Sequence, residues 1–201
     1  KVALEARNVS NAIFAHVNLK VYKGEIIGLG GLHGHGQSSL LRSLYGVEPI
    51  LNGEISVNSK TYNASSPRHA IKTGLGYISG NRRVDGIYQG RSIFENLLPI
   101  HYFKTSKWGS GQKRLRQKAD DALSELKTLY ASMHQEINDL SGGNQQKVVI
   151  ARWMVDDTDI LLLDDPTKGI DLAAKGDLFA LINKLAKTGM AILLYSSDDS
   201  E

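Results

Sequence analysis

The chain has no cysteine among its 201 residues, which excludes a disulfide framework and any metal site built on thiolates. That composition fits a reducing compartment, so a cytoplasmic protein is expected. Long apolar runs are missing as well. The longest, in "DILLLDD" and "MAILLYSS", fall far short of the roughly 20 residues a helix needs to cross a bilayer. No signal-like segment follows Lys1, so the expectation is a domain that neither spans a membrane nor is exported. Internal repeats and low-complexity tracts are also lacking, which argues against a solenoid or a largely disordered chain.

Charge of one sign is scarce too: 24 Lys and Arg against 21 Asp and Glu leave a net charge of +3. Much of the excess lies in "HYFKTSKWGSGQKRLRQK", where the basic residues interleave with Tyr102, Phe103 and Trp108. Such a mixture can hold nucleic acid, but it reads here as a solvated loop and helix face or a protein-contact surface, and no nucleic-acid partner is expected. What is present is ordinary for a globular domain, with 41% hydrophobic residues and enough length for one full core.

Alternation in "ALEARNVS" and "VNLKVYKGE" predicts strands. "EIIGLG" reads as a short buried strand, "NGEISVN" as a strand opened by a turn dipeptide, and "GLGYIS" as a further strand. In "ADDALSELKTLYASM" the residues Ala119, Ala122, Leu123, Leu126, Leu129, Tyr130 and Met133 keep one helical face. Residues from about Phe94 to Leu140 therefore read as a helical insertion. Next, "LSGGNQQKVVIARWM" predicts a helix from Ser141 or just after it, and "DILLLDD" and "MAILLYS" are buried strands. Between them lies a helix with Leu178, Leu181, Ile182 and Leu185 on one face. Strands alternating with helices predict an α/β domain with a parallel sheet, a single domain over residues 1–201. Because a strand such as "MAILLYS" is normally followed by a covering helix, Glu201 is expected to mark a fragment boundary.

The stretch "GLHGHGQSSL" lies between a predicted strand and the helix in "SSLLRSLYG". Gly31, Gly34 and Gly36 permit backbone conformations that aim N–H groups at an anion, and the positive end of the helix adds to them. Ser38 stands where a phosphate-loop hydroxyl ligates Mg²⁺, and Asp164, closing "ILLLD", stands where the metal's carboxylate comes from a second strand.

"LSGGNQQ" precedes Asp164, and "DPTKGID" follows it. In this order the chain resembles the nucleotide-binding domain of ABC transporters, with Walker A, Q-loop, signature, Walker B, D-loop and switch position in turn. The lysine-less loop, the "TKGID" wording and a serine pair after the last strand are similar to the second of two ATPase domains in bacterial sugar-importer ATPases of the ribose, galactose and xylose type. The resemblance implies a P-loop NTPase fold: a mainly parallel core sheet, an N-terminal antiparallel β subdomain and an inserted α-helical subdomain. It implies ATP and Mg²⁺ as ligands, with Gly31, Gly34, Gly36, Gln37, Ser38 and Ser39 on the nucleotide and Ser38 and Asp164 on the metal. Asp165 and Ser197 take the catalytic positions. Ser141, Gly142, Gly143, Asn144 and Gln145 form the signature that meets a partner's nucleotide, and Asp171 lies in the D-loop. The implied partners are a second nucleotide-binding domain, in the same full-length chain, and membrane permease subunits on the helical region. The implied location is the inner face of the cell membrane.

Several positions depart from the family's pattern. Gln37 replaces the Walker A lysine, Asp165 the glutamate after Walker B, Gly80 or Asn81 the Q-loop residue, and Ser197 the switch histidine. Phe14 is the one candidate for an adenine platform. His33 and His35 read as exposed loop histidines; protonated, they would partly replace the lysine's charge. These departures imply a degenerate site with an intact signature. The competing readings are a weak autonomous ATPase, a nucleotide-insensitive docking domain, and a soluble ABC protein of translation or DNA repair.

Overall fold

The computed structural model describes residues 1–32, 34–105, 112–156 and 158–197. They form two compact units: Lys1–Gly80 with Thr158–Pro166 and Ile182–Glu201, and Asn81–Asp157 with Thr167–Leu181. The second takes in more of the chain than the helical insertion read at about Phe94 to Leu140.

The first unit holds two four-stranded sheets. One is antiparallel, in the order β2 (Val17–Tyr22), β1 (Val2–Ser10), β4 (Asn52–Val57), β5 (Lys60–Thr61). The other is parallel, in the order β3 (Ile26–Leu29), β8 (Ala191–Tyr195), β7 (Ile160–Asp164), β6 (Leu75–Ser79). Every residue of β7 is buried, which is why its sequence is continuously apolar rather than alternating. Each leucine or isoleucine withdrawn from water there contributes about 1.5–3 kcal/mol. Two helices complete the unit's regular structure before β6. Helix α1 (Gln37–Leu44) closes at Gly46, which has φ +81°, and α2 (Pro67–Thr73) runs from a Ser66 cap to Gly74 at φ +93°.

In the second unit the short helices α3 (Ile93–Leu97) and α4 (Pro99–Thr105), the longer α5 (Gln112–Glu125) and α6 (Gly142–Met154), and the first part of α7 (Leu172–Lys187) supply the frame. Helix α6 is its centre, burying Val148, Val149, Ile150, Ala151 and Trp153. Ser92 and Glu95 form a reciprocal capping box on α3. The fully buried Asn96 closes the loop before α3, accepting from Tyr88 N at 2.7 Å and donating to the carbonyls of Tyr88 and Ser92.

The helix expected through Met133 stops earlier. Helix α5 ends at Glu125 because Lys127 takes a left-handed φ of +49°. The N–H groups of Lys127 and Thr128 turn back to Ser124 and Leu123 at 3.0 Å, closing the helix with residues that carry no glycine signal. Ala119, Ala122, Leu123 and Leu126 keep the buried face, while Leu129 is 74% exposed. Tyr130 instead donates to Asp120 Oδ1 at 2.9 Å, and burial, aided by that carboxylate, pushes its phenol up to about 12.

Candidate functional site

The register of the parallel sheet sets Leu29, Tyr195, Asp164 and Ser79 side by side at the strands' carboxyl ends, the edge at which open α/β sheets bind ligands. There Ser38 Oγ, in the first turn of α1, donates to Asp164 Oδ2 at 2.5 Å. Tyr77, reaching from β6, donates its hydroxyl to the same oxygen at 2.5 Å and stacks on Tyr45 with ring centroids 5.2 Å apart. A hydroxyl and a carboxylate in contact are the hard oxygen pair that suits Mg²⁺, which takes one or two protein oxygens and completes its shell with phosphate and water. Among the described residues no cluster of three or more acidic, histidine or cysteine side chains offers a self-sufficient metal site. The donor set thus fits a magnesium that arrives with a phosphate ligand.

The glycine loop has the backbone expected of an anion cradle. Gly31, Gly34 and Gly36 all have positive φ, and Gly36 starts α1 without a side-chain cap, leaving the first N–H groups for a ligand. Gln37 lies 9% exposed, folded back over Gly31, and its Nε2 donates to Leu32 O at 3.3 Å. A side-chain amide therefore fills the place of a charged amine and is satisfied within the loop. His35 is exposed and bonds Leu32 O through its N–H at 3.2 Å; His33 lies outside the described residues.

Ser39 faces elsewhere. Its hydroxyl donates to Glu48 Oε2 and accepts from Asn11 Nδ2 at 2.8 Å, while Glu48 also takes Arg42 Nε at 2.7 Å. Asn11 donates as well to Ser43 Oγ at 3.0 Å and accepts the N–H groups of Ile13 and Phe14 at 2.7 and 3.0 Å. By this one amide the loop carrying Phe14 is tied to α1. Phe14 is half-buried beside Gly36, where an added Cβ would meet it at 3.4 Å.

Asp165 and Ser197 are brought together. The carboxylate accepts from Ser197 Oγ at 2.8 Å and Ser197 N at 3.2 Å, and Asp165 N donates to Tyr195 O at 2.8 Å. Asp165 holds a left-handed φ of +54° and is 9% exposed. Next to it, a Cβ at Gly80 would come within 2.8 Å of Asp165 O and 3.0 Å of Asp164 O. Backbone occupies the space that any side chain at position 80 would need, which is the physical reason for glycine there.

In the second unit Ser141 caps α6, its Oγ accepting from Asn144 N at 3.4 Å and from Asn144 Nδ2 at 3.1 Å. Asn144 Oδ1 also accepts from Leu129 N at 2.9 Å. Ser141 is exposed at the positive end of a 13-residue helix. Gly143 has no room for a side chain, since a Cβ would lie 2.9 Å from that of Ala174. Gln145 donates to the carbonyls of Ile137 and Leu140 at 3.2 and 3.1 Å and accepts from Arg82 Nε at 3.3 Å. Asp171 accepts from Ala174 N at 3.0 Å and so caps α7.

Three residues of these networks are missed by reasoning from sequence: Tyr77, Asn11 and Arg82. Tyr77 carried a signal, because alternation along "GLGYIS" places it on the face opposite Ile78. Asn11 and Arg82 act through folded-back loops that no periodicity marks.

No helix among the described residues is long and apolar enough to cross a membrane. The ABC transporter family model matches residues 14–168. A ribose import ATP-binding protein of Corynebacterium glutamicum is 37% identical over 97% of this chain and 38% of its own length. One from Rubrobacter xylanophilus is 35% identical over 100% of this chain and 41% of its own, so the chain spans about two-fifths of these relatives. Among solved structures, cbiO1 of Clostridium perfringens, part of the transporter complex cbiONQ, superposes with a TM-score of 0.82 at 20% identity, covering 98% of this chain and 79% of that one. The ATP-binding cassette MJ0796, in a dimeric post-hydrolysis state with ADP and Pi, gives 0.79 at 24% identity, covering 98% and 89%. With its α/β architecture of one antiparallel and one parallel sheet matched to these cassettes and more than half of its length matched to the family model, the chain belongs to the ABC transporter family as an ATP-binding cassette domain.

Proposed function

We propose that this cassette is one half of the ATP motor of a sugar importer. Its own Walker site binds Mg-nucleotide weakly or holds it without turnover, and its signature completes the active site of a partner cassette. The observation that carries this reading is the contrast between the two halves. At the Walker side, Gln37 spends its amide on Leu32 and Asp165 spends its carboxylate on Ser197. Neither is then disposed for the work of a lysine on the phosphates or of a base on the attacking water. At the signature side, Ser141 stands exposed before the half-buried first turn of α6, with both glycines retained.

The sugar assignment draws on the ribose import relatives, whose unmatched three-fifths have room for a second cassette of this size. In this reading the partner cassette sits in the same full-length chain. The helical unit meets membrane permease subunits, the assembly works at the inner face of the cell membrane, and Asp171 couples the two sites. Substitutions in the intact protein test the division of labour. Ser141→Arg should abolish nearly all ATP hydrolysis, since a bulky cation would replace the hydroxyl at the shared phosphate, whereas Gln37→Ala should leave most of it. Equal losses from the two would overturn the asymmetric motor.

A further inference from the structure

Arg82 opens the irregular turn after Gly80, and the residue is only 8% exposed. Buried guanidinium groups ordinarily face a carboxylate. Among the described residues none forms an ion pair with this one. Its acceptors are neutral: Gln145 Oε1 takes Nε at 3.3 Å and Gln146 Oε1 takes Nη1 at 3.4 Å. Gln145 is itself fixed by its two bonds to Ile137 and Leu140, so the last residues of "LSGGNQQ" act as a bracket for the guanidinium. The third nitrogen, Nη2, lies 3.1 Å from the position a Cβ would take at Gly142, the first residue of α6.

A cation is disfavoured at that place. It lies at the positive end of a helix, and burial, reinforced by neighbouring Arg83, lowers its pKa. The surroundings are short of acceptors as well, since the buried Gln146 Nε2 has no partner. An acceptor-rich anion at the N-terminal end of α6 would relieve the first two conditions together, by offsetting the helix end and by pairing the guanidinium. We propose that Arg82 is a phosphate-binding residue of the signature face, its guanidinium bracketed by Gln145 and Gln146 so that Nη2 meets the terminal phosphate of a nucleotide held by the partner cassette. The inference rests on the shared-site reading above and adds to it a full positive charge that the signature's serine and glycines cannot supply. A side chain at Gly142 would crowd Nη2, since its Cβ would lie 3.1 Å away.

The test compares Arg82→Gln, Arg82→Met and Arg82→Lys in the intact protein, reading both thermal midpoint and response to ADP with orthovanadate, a mimic of the transferred phosphate. Removing a charge-assisted contact should weaken apparent vanadate affinity about 10- to 100-fold, with Arg82→Lys recovering much of the loss. The midpoint without nucleotide should hold or rise in Arg82→Met, since an uncompensated buried charge has gone. A lower nucleotide-free midpoint with an unchanged vanadate response would make Arg82 structural and overturn the proposal; if Arg82→Met does not fold, Arg82→Gln and Arg82→Lys decide by their vanadate response. An equal Arg82-dependent shift from inorganic phosphate alone would mark a free-anion site and overturn it too. Ser141→Arg separates the two levels. If that variant still hydrolyses ATP, the shared-site reading fails; if it is inactive while Arg82→Gln keeps its vanadate response, only the role of Arg82 fails.

Discussion

Replacing Gln37 by lysine tests the proposal that the Walker site binds nucleotide weakly for want of a single side chain. The amide's present bond to Leu32 O, at 3.3 Å, is a neutral one worth about 0.5–1.5 kcal/mol, and a lysine reaching a bound phosphate would add a charge-assisted bond of about 1.5–3 kcal/mol. Because the amide's bond lies within the loop and is not made to the nucleotide, it does not offset that gain, which amounts to about 10- to 100-fold in affinity at 1.4 kcal/mol per decade. Turnover should not follow. Asp165 would still be held by Ser197 at 2.8 and 3.2 Å, and its carboxylate is one methylene shorter than the glutamate that polarises water in the family's active sites. Calorimetric titration of the wild-type chain and Gln37→Lys with Mg-ATP gives the first quantity, and phosphate release gives the second. Unchanged affinity would show that the loop's lost charge is not what limits binding. Hydrolysis restored by lysine alone would refute the assignment of the block to Asp165 and Ser197.

Gly80→Gln, which places a glutamine at one of the two candidate Q-loop positions, should destabilise the fold by about 1–3 kcal/mol through overpacking against the Asp164 and Asp165 carbonyls. That corresponds to a loss of about 2–12 °C in thermal midpoint, measurable by calorimetry. Tyr77→Phe frees the Asp164 oxygen from one competing donor, so the Mg²⁺ dependence of nucleotide binding should tighten about 2- to 10-fold, read from a magnesium titration. Glu95 is held below the usual carboxylate range, first by the backbone N–H of Ser92 and then by its hydroxyl. The stability it contributes is therefore present above the unfolded carboxylate's pKa and is lost as pH falls through the lower folded value. Glu95→Gln should flatten the acid limb of a midpoint-against-pH series, and an unchanged limb would show that the capping box titrates elsewhere.

The elements that sequence reveals are those whose burial repeats along the chain. Residues 160–164 read as a buried strand because every one of them is enclosed, and α6 declared itself by Ser141 and an apolar face. Helix α2 is not read from the sequence: Ser66, Pro67 and Gly74 mark its ends, but seven residues are too few to show a period. The end of α5 was hidden for a different reason: Lys127 adopts the left-handed conformation that its side chain does not advertise. At the site, residue types and spacing named Ser38 and Asp164, and the fold supplies what spacing cannot. Tyr77 bears on Asp164 from another strand, Ser39 turns toward Glu48, and Asp165 is taken up by Ser197.

The packing around Gly80 also limits which substitutions the chain can accept at that position. With the ends of β6 and β7 closed to 2.8–3.0 Å around the missing side chain, a codon change at this position alone meets a steric barrier before it can gain any activity. The neighbouring strand end would have to move first. Any route to a larger residue at position 80 therefore runs through the backbone of Asp164 and Asp165 before it reaches Gly80 itself.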